Sequence, residues 1–387
     1  MFDAMRIAIV TDGIWPFVVG GMQKHSYNLC KYLCASGVKV SLFHPMLDAE
    51  DKKKIKDLFS DGELENLEWV DVPDVKKYSF FGHYLYESYQ YSKHCYALLK
   101  ERNDIDFIYA KGLTSWYVLT QKKTFKCAVG IKIHGYEFLQ IKPNRREKIS
   151  AIMLYLPFKY IHKRADYVFS YGPSITEYIQ RLGVPENKIV EIPGAVDAEW
   201  LIQTRAHRSY GTLKKFVFIG RNERRKGIEE INEVLTKEGL PENTEFHFIG
   251  PIPEEKKVNI PEVFYHGAIT DKAKIIDILD RSDILVCPSY SEGMPNVIME
   301  AMARGCAIIA TNVGAVPVLV DKTNGWLIQP ASVYQLRDAI YVAAMMDYKQ
   351  LELMGQISLD RISNHYTWPI IIDLFKNLLS TKRKPDE

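Results

Sequence analysis

The sequence predicts an α/β protein of two domains, each built around a mostly parallel sheet, and three observations lead there. Strand-like apolar runs alternate with helical patterns along the 387 residues, the order that produces parallel sheets. Several of those runs close on a glycine, as in FVFIG (216–220), FHFIG (246–250) and VFYHG (263–267). A chain of this length with 47% hydrophobic residues also has the material for two sizeable cores.

In chain order, Arg6–Val10 (RIAIV) alternates too little for an exposed strand and suits a buried parallel one. Asp12-Gly13 and an aromatic loop follow, then Gly20-Gly21, a helix over Met22–Ser36 stopped by Gly37, and a strand over Lys39–Phe43. Together they make a βαβ unit of ordinary length. A glycine pair ahead of a helix lets backbone approach a phosphate closely, although the spacing is not the G-x-G-x-x-G of a dinucleotide site. Tyr78–Tyr96 carries eight aromatic residues, which read either as a Tyr-rich core helix or as the lining of an acceptor groove that stacks on sugar or lipid. The strand Ala128–Ile133 leads into His134, at the carboxyl end where open α/β sheets place ligands.

No internal repeat, low-complexity segment or long linker marks a boundary. The change of domain is expected near Pro193–Asp197, with a first domain over 1–197, a second over 198–365, and a terminal segment 366–387. The helix of that segment, Trp368–Leu379, is expected to return to the first domain, and Lys382–Glu387 reads as a frayed tail.

In the second half, the strand Phe216–Gly220 is followed by Arg221, then by Lys226-Gly227 ahead of a helical stretch from Ile228 to Leu235. Further on, Ile284–Val286 reads as a buried strand that stops at Pro288. A loop over Ser289–Pro295 follows, and from Asn296 the residues Val297, Ile298, Ala301 and Met302 recur at helical spacing until Gly305. The start of that helix offers unpaired backbone N–H groups and a positive dipole end, suited to a phosphate or a sugar oxygen. Glu292 sits just ahead of it and Glu300 about one turn inside, where a carboxylate could accept from a vicinal diol such as a ribose. Either acid alone reads more readily as a capping or surface carboxylate, since helix starts favour acids generally.

Taken together, Glu292 and Glu300 resemble the E-x7-E motif of the retaining family-4 glycosyltransferases of GT-B fold (glycosyl transferases group 1). The likeness extends to Ser282-Asp283 through Pro288-Ser289, EGMPN, EAMARG, ATNVG and the NGWLI run at 324–328, and upstream to the family's GR-x4-KG element at Arg221 and Lys226. The resemblance implies two Rossmann-like domains with mostly parallel sheets facing across a deep cleft. It implies a metal-independent retaining hexosyltransferase that moves a sugar from a nucleotide diphosphate sugar to a glycan or glycolipid acceptor, in cell-surface polysaccharide or lipopolysaccharide synthesis. No cofactor or metal is called for, the donor being a substrate.

By that likeness Glu292 and His134 are catalytic, with His134 facing the donor sugar. Gly20, Gly21, Arg221, Lys226, Ile269, Gly293, Met294, Pro295, Asn296, Val297 and Glu300 bind the donor, with Ile269 at the nucleobase. Two fixed cations at Arg221 and Lys226 would stabilise a departing diphosphate without a metal. The chain departs from the pattern in three places: PGAVD lacks the usual Asn, GAVPVLV has Ala315 and Val318 where a second Gly and a Glu are common, and the DxD metal motif of the other large transferase architecture is absent. A GT-B phosphorylase, a nucleotide-sugar epimerase and a non-catalytic sugar-binding protein on this fold stand as alternatives.

Net charge is only +2, but residues 111–164 hold twelve Lys or Arg against Glu137 and Glu147. Within that stretch, residues 142–164 mix Lys142, Arg145, Arg146 and Lys148 with Ile, Leu, Tyr and Phe, which suits either a solvated basic face or peripheral contact with an anionic membrane. No nucleic-acid module accompanies the charge, so no nucleic-acid partner is expected. Six cysteines without a C-x-x-C pattern are expected to be reduced, a start without a signal peptide and the absence of an eighteen-residue apolar run fit a cytoplasmic protein, at the inner face of the membrane if it docks there.

Overall fold

The computed structural model describes residues 5–141, 145–202 and 213–381; Lys142 and the tail Lys382–Glu387 lie outside them, as do the side chains of Arg145 and Arg146. The chain divides into two compact units. The first comprises Met1–His134, Ile149–Pro193 and Trp368–Glu387, the second Gly135–Lys148 and Gly194–Thr367. The change after Pro193 falls just ahead of the 197/198 boundary expected from sequence. The expected first domain of 1–197 is corrected in one respect: Gly135–Lys148, which follows the strand ending near His134, packs with the second unit.

The first unit holds seven strands: β1 (Arg6–Val10), β2 (Lys39–Pro45), β3 (Leu67–Val72), β4 (Phe107–Lys111), β5 (Ala128–Lys132), β6 (Tyr167–Ser170) and β7 (Ile189–Glu191), in the order β3-β2-β1-β4-β5-β6-β7. The second holds six: β8 (Lys214–Ile219), β9 (Thr244–Ile249), β10 (Val263–Tyr265), β11 (Ile284–Cys287), β12 (Ala307–Thr311) and β13 (Gly325–Ile328), in the order β10-β9-β8-β11-β12-β13. Every pairing between these strands is parallel. Central strands such as β4, β5, β11 and β12 are buried along their whole length, which is why they read as continuous apolar runs.

Strand order reverses between β1 and β4 in one sheet and between β8 and β11 in the other. Such switch points open a crevice beyond the carboxyl ends of the strands. The segments after β1, β4, β8 and β11 are therefore the ones placed to carry function.

The second unit's core explains why its loops are held firmly. Phe216 on β8 pairs in register with Phe246 on β9, their rings stacked at 6.2 Å, and Phe218 faces Phe248 in the same register with the rings tilted at 5.8 Å. The helix Ile228–Glu238 lays Ile231, Val234 and Leu235 on them. Each phenyl ring taken from water contributes roughly 2–3 kcal/mol. Glu229 and Glu230 in the first turn and Lys237 in the last match the helix dipole, and Gly227 and Gly239 bound it.

The helix Trp368–Thr381 belongs to the first unit. Trp368 is buried, stacks on Tyr32 at 5.5 Å and meets His25 edge-on, while Phe375 packs between Tyr109 and Phe169. The cysteines of the chain are free, Cys30 and Cys34 among the buried ones.

Two histidines of the first unit are built in as neutral groups. His44 Nδ1 donates to Pro45 O (2.6 Å) while its Nε2 accepts from the Ile14 N–H (3.1 Å), so a second proton would break the latter bond. His162 Nδ1 donates to Phe158 O (2.6 Å). Burial lowers both pKa values to about 4. The unfolded chain takes up these protons near pH 6.5 and the folded chain only near 4, so the stabilisation is complete above 6.5 and lost as pH falls towards 4. Thermal melts between pH 7.5 and 4 are expected to show a steep decline over that window, roughly 3 kcal/mol per histidine when complete, and His44→Asn should shallow the slope.

Candidate functional site

At the second unit's switch point, the loops after β8 and β11 are joined to each other. Gly227 has φ +76°, and a Cβ there would lie 2.2 Å from Pro288 O, so only glycine allows the two loops this close. The Tyr290 N–H donates to Arg225 O at 2.7 Å. Arg224 forms a fork to Glu230 (2.9 and 2.6 Å), donates to the Tyr290 hydroxyl (2.7 Å) and lies over the Tyr290 ring. Tyr290 OH in turn donates to Glu230, and burial followed by the Glu230 contact pushes its pKa up to about 12.

This frame carries an ion pair. Lys226 Nζ lies 2.6 Å from Glu292 Oε1, with both side chains largely buried. Burial by itself would raise the Glu292 pKa, but Lys226 and then Arg225 outweigh it and hold the carboxyl below its ordinary value. Glu292 is thus an ionised carboxylate held away from water. Its backbone is fixed too: a Cβ on Gly314 (φ +54°) would fall 2.1 Å from Glu292 O, and the Ala315 N–H donates to Gly293 O at 2.7 Å. The residue that must be glycine is therefore Gly314. Ala315, where a second glycine was expected from the family pattern, has φ −91° and needs none.

The helix Asn296–Ala303 starts at Pro295 with no side-chain cap and no acid in its first turn. Ile298 N–H reaches back to Pro295 O (3.2 Å), while the N–H groups of Asn296 and Val297, both half-buried, have no intrahelical acceptor. Gly293, Met294 and Pro295 are buried, and Met294 Sδ accepts from the Gly194 N–H (2.9 Å), so its side chain serves the interior of the unit. Glu300 is half-buried on the second turn of the helix. Arg221 is exposed and pairs with Glu223 at 2.9 Å. Ile269, in the loop after β10, lines a cavity of about 580 Å³ together with His266, Asp271 and Lys274.

The first unit carries its own polar constellation beyond the ends of β1, β4 and β5. Gly20 immediately precedes the helix Gly21–Ala35, which lacks a side-chain cap and a first-turn acid. A Cβ on Gly20 would meet Gln23 Oε1 at 2.3 Å, and Gln23 Nε2 is bonded to the half-buried Asp12 (3.1 Å). Lys111, the last residue of β4, is fully buried; its Nζ lies 2.8 Å from His25 Nδ1 and 3.1 Å from His134 Nε2. Tyr171 OH lies 2.6 Å from His134 Nδ1, so both ring nitrogens of His134 are engaged within the unit. Lys132, which closes β5, donates to Ser170 O and Ile192 O and sits 3.5 Å from the centre of the Tyr171 ring. Burial, then Lys111, drives the His25 and His134 pKa values well below 6.5, and burial likewise drives those of Lys111 and Lys132 well below 10.5.

The predicted residues thus fall into two groups. Lys226, Glu292, Gly293, Asn296, Val297 and Glu300 share the second unit's crevice region, while Gly20, Gly21 and His134 lie in the first unit. Asp12, His25, Lys111, Lys132, Tyr171, Gln140 and the Arg224–Glu230–Tyr290 cluster were missed. One signal was available for two of them: FIYAK and AVGIK are apolar strands that each end on a lysine, an arrangement with a cost unless the amine is bonded. Among the described residues, no group of three or more His, Cys, Asp or Glu could hold a metal ion.

Two parallel-sheet Rossmann-like units give the chain the GT-B fold of glycosyltransferases. The chain belongs to the group 1 glycosyltransferases: residues 213–344 match the family described as Glycosyl transferases group 1, and residues 19–200 match Glycosyltransferase Family 4. It is 36% identical over 124 residues to the glycosyltransferase TuaC of Bacillus subtilis (strain 168), assigned by name to teichuronic acid biosynthesis, a match covering 32% of this chain and 31% of TuaC. Other curated relatives are matched over 36 to 66% of their length. In fold it is similar to sucrose-phosphate synthase of Thermosynechococcus elongatus (TM-score 0.78, 19% identity, 98% of this chain and 100% of that one). It is also similar to the Anabaena protein HepE in complex with UDP-glucose (TM-score 0.71, 15% identity, 98% and 100%).

Lys226 has its partner in place before any ligand arrives, so its removal should be felt in folding as well as in binding. Lys226→Ala is expected to cost roughly 1–3 kcal/mol, because it leaves a buried charge unpaired. In urea titrations the loss should be much smaller in a Glu292→Gln background; additive losses would show that the pair is not coupled.

Proposed function

We propose that this protein is a retaining, metal-independent glycosyltransferase that transfers a hexose or related sugar from a nucleotide diphosphate sugar to a glycan or glycolipid in polysaccharide biosynthesis. The observation that carries the reading is the buried Lys226–Glu292 pair ahead of an uncapped helix start. The donor diphosphate takes Lys226 and Arg221 as cations, with the free N–H groups of Asn296 and Val297 available to its oxygens or to sugar hydroxyls. As Lys226 turns to the diphosphate, Glu292 is released to accept from the sugar hydroxyls and to stabilise positive character at the anomeric carbon. Glu300 accepts from the ribose diol, and the base lies by Ile269 at the mouth of the 580 Å³ cavity. His134, neutral and held by Lys111 and Tyr171, contacts the sugar as a fixed dipole, not as a base. Relatives named for envelope polysaccharides support the acceptor class, and the UDP-glucose complex of HepE supports the donor class.

A surface of the first unit supports peripheral contact with a membrane. Ile149, Ile152 and Leu156 form one exposed row on the helix Arg145–Arg164, with Ile152 73% and Leu156 70% accessible. The exposed Phe80, Phe81 and Tyr84 lie beside them, since Met153 Cε comes within 2.9 Å of where a Cβ on Gly82 would be. No helix among the described residues is long and apolar enough to cross a membrane. The patch suits interfacial docking, with Lys148 and Lys163, exposed on the same helix, available to anionic headgroups.

Melting-temperature scans with UDP-, GDP- and ADP-sugars should show one nucleotide class stabilising the protein, by roughly 2.7 kcal/mol at a hundred times its dissociation constant. Glu292→Gln should lower kcat more than it raises KM, Glu300→Gln should mainly raise the donor KM, and activity should survive EDTA. Product NMR is expected to show the donor's anomeric configuration kept; an inverted product overturns the mechanism. For the membrane surface, Ile152→Asp with Leu156→Asp should reduce co-flotation with phosphatidylglycerol vesicles by about tenfold or more, and unchanged flotation removes this claim.

A further inference from the structure

We propose that Gln140 is a positioning residue that sets the backbone of Glu292. It lies on Gly135–Lys148, the segment that leaves the first unit after His134 and packs with the second. Its side-chain amide makes two opposed hydrogen bonds to a single residue: Nε2 donates to Glu292 O (2.8 Å), and Oε1 accepts from the Glu292 N–H (3.1 Å). The amide thus pairs with Glu292 as a neighbouring β-strand would, supplying one donor and one acceptor in the plane of the peptide. Both residues are buried, so neither backbone group of Glu292 has water to fall back on.

The surroundings show what this pairing controls. Three consecutive carbonyls in the loop accept from three separate parts of the unit: Ser291 O from Arg225 (3.5 Å), Glu292 O from Gln140, and Gly293 O from the Ala315 N–H (2.7 Å). The Arg225 bond is at the limit of hydrogen-bond length. Arg225 O also accepts from the Tyr290 N–H, but of the three only Gln140 holds both the N–H and the C=O of one residue. It therefore fixes the rotation of the peptides on both sides of Glu292 Cα, and with them the direction in which the carboxylate leaves the backbone towards Lys226. No other side chain has the required chemistry at this length. Asn is one methylene short, Glu lacks the donor and sets a second carboxylate beside Glu292, and Met fills the space but bonds neither group.

The backbone claim stands on the geometry alone, and its consequence for catalysis rests on the transferase reading above. Gln140→Met and Gln140→Glu are compared with the parent by hydrogen–deuterium exchange of peptides covering 288–297, using UDP, GDP and ADP as binding probes and the donor sugar of the responding nucleotide as substrate. Exchange at the Glu292 amide is expected to accelerate by about tenfold or more in both variants, while peptides from β8 and β12 keep the parental rate. Nucleoside diphosphate affinity should change less than about threefold, because the phosphate-binding groups are untouched, while kcat falls by about ten- to a hundredfold. In a Glu292→Gln background the Gln140→Met change should lower kcat little further, since the group it orients is already gone. Unchanged Glu292 exchange in either folded variant overturns the proposal, as does a kcat loss that multiplies with that of Glu292→Gln. If no nucleotide sugar is turned over, the transferase reading fails while the exchange result still decides the role of Gln140. Should Gln140→Met not fold, Gln140→Glu, nearly isosteric, carries the same comparison.

Discussion

A carboxylate taken out of water must be compensated on the spot, and the second unit is organised around doing so for Glu292. Its charge is met by Lys226 at 2.6 Å, and its backbone by Gln140 and by the close approach of Gly314. Each of these partners comes from a different stretch of chain, so the site draws together the loops after β8, β11 and β12 and the segment 135–148. The Arg224–Glu230–Tyr290 cluster ties the first two together from the side. Beneath them, the stacked phenyl rings of β8 and β9 supply the rigid floor from which the loops rise. Burial energy is thus converted into fixed polar geometry, which is what a preorganised charge site needs.

The first unit solves a related problem by the opposite means. Lys111 and Lys132 close two fully buried strands and are matched to imidazole nitrogens, carbonyl oxygens and an aromatic face, and the Asp12 carboxylate partly offsets the effect of burial on Lys111. Burial disfavours the charged form of each amine and of each imidazole. The result is a buried chain of hydrogen-bonding groups that holds both ring nitrogens of His134. One unit therefore buries a lysine–glutamate pair and the other a lysine–histidine–tyrosine network at the corresponding ends of their sheets.

Much of this was legible in the sequence, and the part that was not has a physical cause. Buried parallel strands announce themselves as unbroken apolar runs, and glycines at tight loop contacts stand out, so the alternation of elements and the two-unit division were readable. Lys226 and Glu292 were readable because a family motif marks both positions. Their mutual contact was not, since it spans 66 residues and neither side chain carries a local sign of its partner. Gln140 is 152 residues from Glu292 and looks like any polar residue in a loop. Met294, placed by the motif among donor-binding residues, turns inward because its sulfur accepts the Gly194 N–H. The assignment of Gly135–Lys148 to the second unit also left no mark in composition, since no Gly-, Pro- or Ser-rich linker flanks it.

The pairing of Lys226 with Glu292 has a consequence for what an empty site ignores. A cell is full of phosphate, nucleotides and other anions, and an unaccompanied buried lysine would attract them all. Here the Glu292 carboxylate sits against the ammonium, so an anion that approaches Lys226 also meets a like charge beside it. On the transferase reading proposed above, a molecule that carries both a diphosphate and a sugar offers oxygens to the ammonium and hydroxyls to the carboxylate, and the pair would favour it over a bare phosphate.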